Sequence, residues 1–197
     1  MSRSEYSMRQ NLERKPPMMK GLTSSILGEV QSPGIGMVIW QRFFNRRRLF
    51  AAAPLLMGPP FTWWSEGTPG IAARALFQGL PILHWALYSD IRKLAECFAK
   101  ISGSPVVKLR LEHVTDDACR KFHVDHVGMR LLCTYIGPGT EWIDATGKVK
   151  RMSPMDVAIF KGETCPVPGP RIRHRSPPLS HLPPARRSRL VLCVDQG

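Results

Sequence analysis

In VVKLRLEHV (106–114), Val107, Leu109 and Leu111 alternate with Lys108, Arg110 and Glu112. This period of two marks a strand with one buried face. Further strand-like segments follow at short intervals: FHVDHV (122–127), MRLLCTYI (129–136), TEWID (140–144), MDVAIFKG (155–162), PRIRH (170–174) and RLVLCVD (189–195). Short strands separated by Gly/Pro turns predict an antiparallel sandwich or barrel. Upstream the period is about 3.6. Ile91, Leu94, Phe98 and Ile101 recur at spacings of three and four, predicting a helix over 89–102 with Ser89 as N-cap, Asp90 at its positive start and Gly103 ending it. AARALFQGLPILHWAL (72–87) predicts another helix, broken near Gly79–Pro81, and MVIWQRFF (37–44) is an apolar segment leading into NRRR. PPFTWWSEGTPG (59–70) is expected to be a turn-rich connection whose Trp63 and Trp64 fold back onto the core. The organisation expected is α+β: a basic, flexible arm at 1–36, a mainly helical cap at 37–104 and a β core at 105–197, with 37–197 forming one compact domain.

Composition adds constraints. A chain of 197 residues, 43% apolar, is long enough for one domain with its own core. The net charge of +13 is concentrated at the ends: residues 1–50 hold nine Lys/Arg against three Asp/Glu, and 161–197 hold seven against two. Clustered basicity is what a nucleic-acid face needs, but solvated ends account for it more simply, so nucleic-acid binding ranks third among the functional readings. Five cysteines without a C-x-x-C pair argue against a disulfide framework or a zinc ribbon. With no apolar core after Met1, and with the apolar run LFAAAPLLMG (49–58) interrupted by Pro54, the expectation is a cytoplasmic protein with no membrane segment. Oligomeric state leaves no mark on the sequence.

The candidate chemistry lies in KFHVDHVGMR (121–130). Alternate residues of a strand share a face, so His123 and Asp125 project together and can converge on one divalent ion. His174, closing a strand-like alternation, is a better third ligand than His181, which sits among prolines. Two His and one Asp make a facial triad that suits Fe(II) and leaves three positions open, although Zn or Mn also fits the donor set. Several neighbours carry two readings. His126 could replace His123, while His113 and His84 read as structural. Glu141 could support the metal or face solvent, Asp156 reads as a turn residue, and Arg175 could face substrate. Arg130 could form a buried ion pair with Asp125 or Glu112. In that case His123, Asp125 and Arg130 would be only a polar network.

The order of H-x-D, a distal His and then Arg189 at the head of the last strand resembles the 2-oxoglutarate/Fe(II) dioxygenase superfamily. The resemblance implies a double-stranded β-helix (jelly-roll) core with iron held by His123, Asp125 and His174. It implies that Arg189 pairs with the distal carboxylate of 2-oxoglutarate, with Arg186, Arg187 and Lys161 as alternative cations, and that Tyr135 helps to hold the same cosubstrate. At a narrower level, RLEHV, CRKFHVDHVGMRLLCTYIGPGTEWI, DVAIFKG, HRSPP and RLVLCVD resemble the bacterial domain-of-unknown-function 1826 family over roughly residues 37–196. The function implied is an Fe(II)/2-oxoglutarate-dependent hydroxylase whose small-molecule or protein substrate the sequence does not identify. Members of the narrower family are expected near zinc-homeostasis genes, so the alternative is a non-catalytic zinc-binding jelly-roll.

Overall fold

The computed structural model describes residues 17–117 and 119–197; most of the arm expected at 1–36 therefore lies outside the described residues. Ten strands and three α-helices run in the order β1 (Met18–Gly21), β2 (Met37–Trp40), α1 (Arg46–Ala52), β3 (Phe61–Gly67), α2 (Pro69–Leu76), α3 (Trp85–Ser102), β4 (Val107–Val114), β5 (Met129–Ile136), β6 (Glu141–Ile143), β7 (Val149–Arg151), β8 (Val157–Lys161), β9 (His174–Arg175) and β10 (Arg189–Gln196). Seven strands form the main sheet in the order β1-β2-β8-β5-β10-β4-β3, and a small sheet is ordered β7-β6-β9. All pairings are antiparallel except β1 with β2.

The period of two decides which residues meet across the layers. On β5, Leu131, Cys133 and Tyr135 join Leu190, Leu192 and Val194 of β10 in the larger core, where Ile91, Leu94 and Phe98 of α3 pack against them. On the other face Leu132 of β5 and Cys193 of β10 meet Phe160 of β8 and Trp142 of β6 in a smaller core between the two sheets. Helices thus cover one face of the main sheet and the small sheet covers part of the other.

Several expectations change. The segments expected as arm and helical cap contribute three strands to the main sheet, because Met18–Gly21 pairs with Met37–Trp40 and Phe61–Gly67 pairs with β4 along its whole length. In the connection expected at 59–70, Trp63 packs on the larger core while Trp64, of opposite parity, stays exposed. The helix expected at 89–102 starts earlier, at Trp85, and ends as expected at Gly103 in the left-handed conformation (φ 71°). Asp90 is consequently a buried helix-interior residue. It is ion-paired with Arg42 and Arg48 at 2.9 Å each. FHVDHV is no strand: His123 makes a single β-bridge to His174 and the chain then loops. No helix of the described residues is long and apolar enough to cross a membrane.

Candidate metal centre and carboxylate socket

His123 and His174 oppose each other across their bridge, with His123 N–H donating to His174 O (3.0 Å) and His174 N–H to His123 O (2.9 Å). Residues directly opposite in an antiparallel pair place their side chains on the same side, and the two imidazole centroids lie 5.0 Å apart. Asp125 reaches the same point from the following loop. That loop is anchored on the turn after β8, where Glu163 N–H donates to Asp125 O (2.8 Å) and Gly162 N–H to Gly128 O (2.9 Å). Gly162 is required here, because a Cβ at this position would stand 2.1 Å from Val127 O and 2.7 Å from Asp125 O. One ligand atom from each of His123, Asp125 and His174 lies within 4.8 Å of the others.

The hydrogen bonds around this cluster fix its chemistry. His123 Nδ1 lies 2.9 Å from Lys121 O, and His174 Nδ1 lies 3.4 Å from Ile172 O. A carbonyl only accepts, so each Nδ1 carries a proton and each Nε2 is turned inward, where it offers a lone pair to a metal or, when protonated, an N–H to the Asp125 carboxylate. His174 Nε2 then faces Asp125 Oδ2 at 2.9 Å and His123 Nε2 faces Oδ1 at 3.5 Å. Lone pairs converging on a carboxylate repel one another unless a cation lies between them, and two imidazole nitrogens with one carboxylate oxygen suit Fe(II), Zn or Mn. The residues therefore fit a divalent metal. Burial pushes the Asp125 carboxyl up, but the His174 imidazole, the Arg130 guanidinium and His123 outweigh it and hold the group below the usual carboxylate range.

A cleft of about 170 Å³ is lined by the triad together with Leu132, Val191, Cys193 and Arg189. Arg189 is 3% exposed, yet its guanidinium touches only hydroxyls: Thr140 Oγ1 at 2.7 Å, Ser176 Oγ at 2.6 Å and Thr134 Oγ1 at 3.0 Å. No carboxylate pairs with it among the described residues. Burial lowers its pKa to about 10. The turn after β5 closes over it because Gly137 (φ 87°) has no side chain. A Cβ there would stand 2.3 Å from Ser188 O. Cys193, also lining the cleft, has its thiol pushed up to about 12 by burial and Asp195.

The structure separates other expected site residues from this cleft. Tyr135 lies on the opposite face of β5, fully within the larger core, with its hydroxyl donating to Asp90 Oδ2 at 2.8 Å; it cannot hold a cosubstrate in the cleft. Lys161 is buried elsewhere, donating to Ser32 O and Pro168 O, and neither Arg186 nor Arg187 lines the cleft. His126 is exposed beside Glu163 at 2.9 Å, His113 bonds Ser188 Oγ at 2.8 Å and His84 bonds Ala51 O at 2.7 Å. Glu141 is buried between Arg151 and Arg175 and supplies no ligand. Sequence reasoning missed Thr134, Thr140 and Ser176, which come from three separate segments with no shared spacing. It paired Arg130 with Asp125 or Glu112, but not with Asp195, its direct cross-strand neighbour on β10.

A family model described as "Protein of unknown function (DUF1826)" matches residues 22–195. The chain belongs to the DUF1826 family. The match begins within the segment expected as an arm, consistent with β2 being part of the main sheet. No curated protein matches the sequence of this DUF1826 chain. Among solved structures, its fold is similar to a full-length Neurospora crassa protein in complex with alpha-KG (14% identity, 88% of this chain and 77% of that one, TM-score 0.55) and to a Pseudomonas putida prolyl-4-hydroxylase (11%, 89% and 99%, TM-score 0.53). It is also similar to a Caulobacter crescentus protein described as of the 2OG-Fe(II) oxygenase family (17%, 86% and 79%, TM-score 0.50). At these identities the likeness concerns the fold: this DUF1826 chain shares the architecture of 2OG-Fe(II) oxygenases with a jelly-roll core.

Proposed function

We propose that this chain is an Fe(II)/2-oxoglutarate-dependent oxygenase. The observation that carries the reading is a buried guanidinium, without a carboxylate partner among the described residues, in the same small cleft as the His123, Asp125 and His174 cluster. A buried charge left without a counter-ion is costly, and a dicarboxylic cosubstrate supplies the missing partner at one end and a chelating group at the other. Nε2 of both histidines and a carboxylate oxygen of Asp125 would hold Fe(II) on one face, leaving three positions open. Bound Fe(II) with 2-oxoglutarate supplies oxygen activation for hydroxylating a substrate, with succinate and carbon dioxide as the cosubstrate's products.

The chain's own residues do the rest. Arg189 would offer its charge and the remaining Nη1 N–H to the distal carboxylate and stays charged throughout. Thr134, Thr140 and Ser176 accept its other N–H groups and fix the guanidinium's direction. Phe160, whose ring centroid is 4.3 Å from that of His174, and Leu132 keep water from the inner side of the ligands.

The test is an anaerobic titration with Fe(II) and 2-oxoglutarate. A visible metal-to-cosubstrate charge-transfer band that disappears in His123→Ala supports the reading. Absence of any band, together with zinc retained stoichiometrically on purification and no succinate formed, replaces it with a zinc-holding role.

A further inference from the structure

Arg130 stands on β5 with its side chain toward the cleft, directly opposite Asp195 of β10. Its Nε and Nη2 bond the two oxygens of Asp195 at 2.7 and 2.6 Å, a bidentate pairing that fixes the guanidinium plane. The remaining Nη1 donates to Oδ1 of Asp125, leaving Oδ2 as the oxygen turned to His174 Nε2 at 2.9 Å. Both residues of this brace are largely buried, with side-chain exposures of 17% for Arg130 and 13% for Asp195. A carboxylate with one oxygen committed to a rigid cation can offer only the other to a metal.

We infer that Arg130 is a positioning residue that holds Asp125 as a one-oxygen ligand, with Asp195 as its brace. This rests on the metal-binding reading above. The arrangement trades metal affinity for open coordination positions. The guanidinium draws charge from the carboxylate and repels a nearby ion, but it prevents Asp125 from closing a second position by chelation. A site built only for retention would gain from leaving both oxygens free.

Cobalt(II) alone, titrated anaerobically into the full chain, separates the two cases, because its visible spectrum reports the ligand set directly. Arg130→Met combined with Asp195→Asn removes the cation and the Asp195 carboxylate together, so the one carboxylate left without the guanidinium is Asp125, which faces both histidines. This double variant is expected to bind Co(II) about tenfold more tightly, the change that one charge-assisted hydrogen bond to the carboxylate accounts for, and to show an altered d–d spectrum. Arg130→Lys, which keeps the charge and a donor, is expected to retain the wild-type spectrum. A folded double variant with unchanged or weaker Co(II) binding overturns the positioning role and leaves the metal site standing. A wild-type chain that binds no Co(II) overturns the metal reading itself.

Discussion

Replacing Arg189 by Met tests whether the cleft is built around a missing anion. A guanidinium lowered from 12.5 to about 10 by burial is destabilised by about 3 kcal/mol at neutral pH. The folded-state value lies below the unfolded one, so this penalty applies at every pH below about 10 and lifts as pH rises from there toward 12.5. Methionine fills much of the same volume without charge, but leaves Thr134, Thr140 and Ser176 short of a partner, at about 1 kcal/mol each. The two effects nearly offset, so Arg189→Met is expected to unfold in denaturant within about 1 kcal/mol of wild type or up to about 3 kcal/mol above it. In a chain of this size 1 kcal/mol moves Tm by about 2–4 °C. In the presence of metal under anaerobic conditions, 2-oxoglutarate at a hundred times its Kd should stabilise wild type by about 2.7 kcal/mol and the variant not at all. An arginine with an internal counter-ion behaves differently, losing about 3–5 kcal/mol on truncation. A loss of that size, or equal stabilisation of both proteins by 2-oxoglutarate, would refute the reasoning.

Three further outcomes follow from the geometry. Tyr135→Phe removes a hydroxyl bound to Asp90 on the helix side of the sheet; equilibrium unfolding should show a loss of about 1.5 kcal/mol, with the charge-transfer titration unchanged. Gly162→Ala drives a methyl into Val127 O and Asp125 O and displaces the loop carrying Asp125, so metal affinity measured calorimetrically should fall at least about tenfold, a change of about 1.4 kcal/mol. Burial raises the Glu141 carboxyl, but Arg151 and Arg175 outweigh this and hold it below its ordinary 4.5. Its contribution is therefore present above that pH and lost progressively below it, and wild type should lose more stability than Glu141→Gln as pH falls from 5 to 3 in denaturant titrations.

The most legible strand is β4, whose apolar and polar faces alternate clearly beside β10. β2 was not legible because MVIW, buried almost throughout, has no alternation to distinguish it from a helix turn. In β3 the adjacent Trp63 and Trp64 conceal a period of two that the burial pattern shows plainly. The meeting of His123, Asp125 and His174 could be anticipated from residue type and order, but the route to it could not: a single bridge and a glycine-seated loop replace the expected strand. One error was avoidable. Arg130 and Tyr135 differ by an odd number, so on one regular strand they face opposite sides. If Arg130 serves Asp125, Tyr135 must point away, as it does.

Parity also bears on the choice between holding a metal and using it. Arg189, Val191, Cys193 and Asp195 share the inner face of β10, so one strand carries both the guanidinium lining the cleft and, through Arg130, the restraint on Asp125. Zinc retention needs neither. It would be served by a fourth protein ligand, and among the described residues the cluster that could hold a metal comprises only His123, Asp125 and His174. On the proposed reading, the site would withhold ligands from the metal and keep a buried cation beside it, an organisation suited to an anion that binds both.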